Sequence, residues 1–208
     1  METLRERKKQ RTRDALVRAA FELFTTQGYE HTTVDEIAEA VEVSQRTFFR
    51  YFAGKEDAAL AVQQLTEEHF YEAVRARPPH EPPLEALRRA VLEGWDTISD
   101  VIESVVPLDL YLRMYRVVES TPVLLAAHLR RSADTEERFA RLIAVREGLD
   151  VDADPRPRLA VAVFGAVMRI TERRWSAWED VDVEAIRELT AAYLDQVGPA
   201  LAENWRTD

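Results

Sequence analysis

Apolar residues recur along the chain at spacings of three and four, and nowhere alternate strictly with polar ones. That pattern predicts helices throughout and no convincing strand. The first predicted helix runs from about Arg5 to Gln27. Leu16, Ala20, Leu23, Phe24 and Gln27 share one face, and Gly28 is the natural stop. Thr33 reads as the N-cap of Val34–Val41, with Asp35 and Glu36 in the first turn, where the helix dipole favours acid. Ser44 caps a third, short helix from Gln45 to about Phe52. Gly54 breaks it, and a fourth runs from Lys55 to about Arg77.

The stretch Arg77–Pro83 holds four prolines in six positions, which no helix continues. Longer helices follow: Leu84–Val105, a short piece after Pro107, Pro122–Glu147 ending at Gly148, Pro155–Trp178, and Val183–Trp205. Ser120 and Thr121 before Pro122, and Asp154 before Pro155, are cap-then-proline starts. The expectation is an all-α chain of about nine helices in two domains. Residues 1–56 form the first and residues 57–208 the second, with the fourth helix, about 55–77, connecting them.

Composition is that of an ordinary globular protein, 46% hydrophobic and 32% charged. No cysteine occurs, which excludes disulfides and cysteine-based metal sites. The charged N-terminus has no apolar core of a secretory signal, and no run is apolar enough to span a membrane, so a cytoplasmic location is expected. Charge changes the picture more. The chain carries −10, yet residues 1–56 hold ten basic and ten acidic residues, and residues 1–20 hold seven basic against three acidic. A positive field therefore survives at the N-terminal end of an acidic chain, which suggests two tasks on one polypeptide.

Helices two and three are short and joined by the tight turn Ala40–Ser44. Ile37, Ala38, Val41 and Val43 can face inward, with Phe48 and Phe52 packing from the next helix. This is the helix-turn-helix layout, whose second helix enters the DNA major groove. Its outward side shows Gln45, Arg46, Thr47 and Arg50. Gln pairs with adenine, Arg with guanine, and the Thr methyl meets the thymine methyl. Thr33, Tyr51 and Lys55 stand at helix starts and ends, where hydroxyls and amines hold phosphates.

The segment Gly28–Leu60, GYEHTTVDEIAEAVEVSQRTFFRYFAGKEDAAL, resembles the DNA-binding domain of TetR-family transcriptional regulators over about the first 60 residues. The resemblance implies base reading by Gln45, Arg46, Thr47 and Arg50, and phosphate contacts from Thr33, Tyr51 and Lys55. Two positions depart from the family pattern. Glu42 stands where the turn commonly has Gly; a positive φ there costs on the order of 1 kcal/mol, so a variant turn is expected. Phe49 stands where Tyr is frequent. It cannot hydrogen-bond a phosphate and is expected to pack. The basic residues Arg5, Arg7, Lys8, Lys9, Arg11 and Arg13 can add phosphate or minor-groove contacts, as flexible arms do. A disordered, solubilising end is the alternative.

For the C-terminal part, the resemblance implies a homodimer that binds a small effector and releases an inverted-repeat operator. Ligand binding would move the fourth helix and change the spacing of the two reading helices. Repression is the family's common case. Leu159–Ile170 is apolar on nearly all faces, and Ile186, Leu189, Tyr193, Val197 and Leu201 follow helical spacing. Together they can form a dimer interface; a monomer core is the alternative. Candidate pocket residues are Trp95, Ile98, Ile102, Leu110, Met114, Leu125, Phe164 and Met168, with Arg113, His128 and Arg169 as anchors for an anionic head group. For these three an ordinary surface charge or salt bridge is the competing reading. From Pro107 onward the layout resembles regulators of acyl-type ligands, which puts a hydrophobic, acidic effector first.

Catalysis is not expected, and neither cofactor nor metal is indicated. The four histidines form no HExxH motif, and there is no phosphate-binding glycine loop or G-x-S-x-G elbow. His69 with Glu68 and Glu72 is the nearest approach to a metal set, and exposed helix faces carry such groups routinely. The competing functional class is a helical protein-interaction scaffold without sequence-selective DNA binding.

Overall fold

The computed structural model describes residues 3–178 and 182–202. Within them the chain is helical, in the order α1 (Leu4–Thr26), α2 (Val34–Ala40), α3 (Gln45–Phe49), α4 (Lys55–Ala59), α5 (Ala61–Arg75), α6 (Pro83–Glu103), α7 (Leu108–Ser120), α8 (Pro122–Glu147), α9 (Arg156–Ser176), α10 (Val183–Asp195) and α11 (Val197–Ala202). The expected fourth and last helices are each divided, which turns about nine helices into these eleven segments. At Leu60 the division is slight, because the i to i−4 bonds continue through Leu60 and Gln64. At Gln196 it has a clear cause. Pro199 lacks the N–H for the Asp195 carbonyl, and its ring crowds that carbonyl. The expected end of the last helix at Trp205 lies outside the described residues.

Caps set most boundaries. Thr33 accepts from the Glu36 N–H at 3.2 Å, while the Glu36 carboxylate accepts from the Thr33 N–H at 2.7 Å, a complete capping box. Ser44 accepts from the Thr47 N–H at 3.2 Å. Gly28 and Gly148 close α1 and α8 with φ of +90° and +65°.

Contacts divide the chain into two compact units. One brings the residues up to Glu67 together with Ser99–Leu129, and the other brings Glu68–Ile98 together with the residues from Arg130 on. In the first, α1 packs on α2, α4 and α7. It buries Leu16, Val17, Ala20, Phe21 and Phe24, with Ile37, Phe48 and Phe52 opposite in the helix-turn-helix and Met114 in α7 also buried. The Arg18 guanidinium donates to the Val105 carbonyl at 3.2 Å and ties α1 to the α6–α7 loop. In the second, Val74, Leu87, Ala90, Ala140, Ile143 and Val161 form the core.

Ion pairs brace the second unit. Arg146 donates to the carbonyls of Arg77 and Pro78 at 2.8 and 2.9 Å, so the proline-rich connection is clamped rather than loose. Glu137 of α8 takes both nitrogens of Arg158 of α9 at 3.0 Å, and Arg141 at 3.1 Å. The bidentate Arg158 contact above all holds the Glu137 carboxyl down to about 2. A folded pKa below the unfolded value stabilises the fold above the unfolded pKa, and that contribution is lost as pH falls toward the folded one. Thermal unfolding should therefore shift to lower temperature as pH drops from about 4.5 toward 2. The shift should be smaller in Glu137→Gln, and equal shifts in both proteins would assign the acid sensitivity elsewhere.

Candidate nucleic-acid interface

The reading helix is held from behind by aromatic packing. Phe48 is fully buried, and its ring centroid lies 5.4 Å from that of Phe52. Arg13 of α1 lies over the Phe52 ring, 5.4 Å from its centroid. With that side fixed, Gln45 and Arg46 are exposed and Thr47 is half-buried. The Thr47 hydroxyl lies 3.0 Å from that of Ser44, so it lines up with the helix cap. These three residues stand at the N-terminal end of α3, the end from which recognition helices reach base edges.

The turn before α3 keeps its usual form despite lacking glycine. The Val43 N–H bonds the Ala38 carbonyl at 3.0 Å, and the Glu42 N–H bonds the Glu39 carbonyl at 2.9 Å. This pair of bonds is a Schellman motif, and Glu42 adopts the left-handed conformation it requires, with φ of +55°. The expected variant turn is therefore absent: the backbone geometry is retained and Glu42 bears the strain. Phe49 also departs from expectation. It does not pack away but is 51% exposed, with its edge set against Phe48 at 5.6 Å.

The three phosphate candidates are differently placed. Thr33 is exposed at the start of α2, its hydroxyl engaged in the capping box. The Thr33 N–H and hydroxyl hold the Glu36 carboxyl below the usual range. Lys55 turns inward. Its ammonium donates to the carbonyls of Tyr29 and Thr32 at 2.9 and 3.1 Å and lies 4.2 Å from the Tyr29 ring centroid. Two of its three donors are thus committed to the loop that precedes Thr33. Tyr51 is half-buried and paired with Arg50, whose guanidinium donates to the Tyr51 hydroxyl at 3.2 Å.

The basic N-terminus is not a flexible arm. Thr3 and Glu6 form a second capping box, and the helix runs unbroken from Leu4 into the core. Arg5, Lys8, Lys9 and Thr12 project from it to line, with Arg50 and Tyr51, a groove of about 370 Å³. Reading the sequence for an arm missed Thr12 and this role of Arg50. The signal was present in the i, i+3, i+4, i+7 spacing of positions 5, 8, 9 and 12.

The pocket candidates are scattered through both units. Ile98, Ile102, Leu110 and Met114 are buried, as is His128 against the edge of Tyr115. Trp95, Leu125, Phe164 and Met168 are half-buried. The buried Trp95 indole N–H has no hydrogen-bond partner among the described residues. Both arginine anchors are neutralised internally: Arg113, 51% exposed, by Asp109 at 2.5 Å, and Arg169 by Glu136.

Two family models match successive parts of the chain. The model for bacterial regulatory proteins of the tetR family matches residues 16–62, and that for the MftR C-terminal domain matches residues 81–202. Over 203 residues the chain is 49% identical to the HTH-type transcriptional regulator TcmR of Streptomyces glaucescens, covering 98% of this chain and 90% of that one. The crystal structure of NalD, the secondary repressor of the MexAB-OprM multidrug efflux pump in Pseudomonas aeruginosa, has the same fold. Its TM-score is 0.60 at 20% identity, covering 96% of this chain and all of that one. A TetR-like transcriptional regulator from Rhodococcus sp. RHA1 gives a TM-score of 0.50 at 18% identity, covering 94% of this chain and 97% of that one.

Replacing Glu42 by glycine should relieve the left-handed strain at the turn. Glu42→Gly is expected to raise stability by about 0.5–1 kcal/mol, read as a higher midpoint in thermal or urea unfolding. A lowered midpoint would mean that the Glu42 side chain contributes more than its backbone strain removes.

Proposed function

Because the chain belongs to the TetR family of bacterial regulatory proteins, we propose that it is a dimeric repressor that reads an inverted-repeat operator. The observation that carries this reading is the start of α3. Gln45, Arg46 and Thr47 are presented there on a helix whose other side is locked by Phe48 and Phe52. These three read bases. Thr33 and Tyr51 contact phosphates, and Lys55 serves the backbone with its remaining donor while the other two hold the loop before Thr33. The protein acts in the cytoplasm and without catalysis.

The dimer reading rests on α9 and α11. Val161 and Val167 are buried, whereas Leu159 and Ile170 are 61% and 52% exposed on the same helix, and Leu201 of α11 is 74% exposed. A helix that is apolar on both sides leaves one side for a second copy, and a two-fold arrangement is the default for self-association. The two reading helices of such a dimer meet half-sites about one DNA turn apart. Residues 1–56 serve as the DNA-binding domain and residues 57–208 as the effector and dimerisation domain.

The effector is a small hydrophobic molecule, with acyl-type compounds the first to test. Arg113 and Arg169 already have carboxylate partners, which weakens their claim to hold an anionic head group. The buried, unpartnered indole N–H of Trp95 offers a donor that a carbonyl or carboxylate of the effector would satisfy.

Selection of bound duplexes from a random pool should enrich an inverted repeat. Arg46→Ala should then weaken discrimination by about 1–3 kcal/mol at one position of each half-site. A pool that stays random with ligand-free protein would favour the scaffold reading instead. For the dimer, Ile170→Glu should yield a monomer in analytical ultracentrifugation and lose operator affinity. A dimer unchanged by that substitution would place the interface elsewhere.

A further inference from the structure

The first turns of α1 carry a feature that base reading does not use. A period of 3.6 residues sets Arg5, Lys8, Lys9 and Thr12 on one face. Together with Arg50 and Tyr51 that face lines the groove of about 370 Å³. Four of the six residues are cations, the other two carry hydroxyls, and none is acidic. Among the described residues no carboxylate pairs with Arg5, Lys8 or Lys9, whereas Arg77, Arg113, Arg158 and Arg169 are all paired.

These cations do nothing for the helix itself. Positive charge in the first turns opposes the positive end of the helix dipole. The helix is started by the Thr3–Glu6 capping box, which needs none of them. Unpaired charges in an unfavourable place are accounted for by something outside the folded chain.

Arg50 completes the groove. It follows Phe49, the last residue of α3, at the end away from the Ser44 cap. Its guanidinium lies 5.0 Å from the Tyr51 ring centroid and donates to the Tyr51 hydroxyl. These two contacts hold the guanidinium beside Tyr51 and leave further N–H donors for another acceptor.

We infer that this groove holds backbone phosphate of duplex DNA flanking the bases read by the start of α3, and that Arg50 is a phosphate ligand rather than a base reader. The inference rests on the DNA-binding reading above. The duplex backbone is the occupant because the groove offers several cations along a line, with neither an Asn or Gln to pair with adenine nor a carboxylate to accept from cytosine. Minor-groove insertion does not fit, since a helix about 10–12 Å across cannot enter a groove about 6 Å wide.

The test uses the full-length protein and the duplex selected from the random pool, with binding followed by fluorescence anisotropy over a range of KCl concentrations. Lys8→Ala/Lys9→Ala and Arg50→Ala change exposed residues, and alanine is a strong helix former, so unchanged circular dichroism should certify their fold. At about 0.9 per phosphate and two half-sites per dimer, Arg50→Ala should lower the slope of log K against log salt by about 2, and Lys8→Ala/Lys9→Ala by about 4. Each should weaken selected and scrambled duplexes by the same factor. A methylphosphonate linkage placed just outside the read bases should weaken wild type, and it should cost the Lys8→Ala/Lys9→Ala protein less. An unchanged slope in that protein, with wild type still selective, removes the groove from the interface and leaves the DNA reading intact. Lost discrimination at constant slope in Arg50→Ala returns that residue to the bases. A wild-type protein that selects no sequence sinks the DNA reading itself, and this inference with it.

Discussion

The Lys55 ammonium, at the first residue of α4, binds the carbonyls of Tyr29 and Thr32 and covers the Tyr29 ring. Those carbonyls belong to the loop between α1 and α2, so one charge joins the end of α1, the approach to the Thr33 cap and the start of α4. A carbonyl in a loop with no ladder to join needs such a partner, and a charged donor is a strong one. The placement of α2, and through the Schellman turn that of α3, follows from this anchor and from the Phe48–Phe52 packing behind it. A change at Lys55 therefore reaches the loop before the Thr33 cap directly, through these two hydrogen bonds.

Much of this was legible in the sequence, and the reason is local. Thr33, Ser44, Gly28 and Gly148 act within three or four residues of themselves, and each lies where its type predicts. What escaped depends on distant or competing effects. The break at Gln196 comes from a proline three residues on. Glu42 looked incompatible with a left-handed turn, yet the two hydrogen bonds of the motif hold it there. The inward direction of Lys55 could not be read, because its acceptors are more than twenty residues away. The helix from about Arg5 was expected and is present, but its basic residues were also read as a flexible arm, because the face they share has no apolar stripe to show what it lies against. Phe49 was expected to pack, and the buried side of α3 was already filled by Phe48.

The uneven charge of the chain has a structural counterpart. In the second unit arginines are taken up by carboxylates, as in Arg77–Glu81, Arg158–Glu137 and Arg169–Glu136. At the N-terminal end the balance is reversed: Arg5, Lys8 and Lys9 are left unneutralised beside the reading helix. Non-specific attraction to DNA is mostly electrostatic. A positive patch beside the reading helix favours approach to DNA through that patch.

The continuity of α1 turns residue count into geometry. Leu16 and Phe24 fix the helix in the core, and Arg5 to Thr12 ride on the same rigid rod. Each residue advances the helix by about 1.5 Å and rotates it by about 100°. Losing one residue between Thr12 and Leu16 would swing the basic face away from Arg50 and Tyr51 while Leu16 and Phe24 kept their places in the core. The three intervening positions, Arg13, Asp14 and Ala15, thus act as a ruler: their number matters to where the positive face points, whatever their side chains contribute.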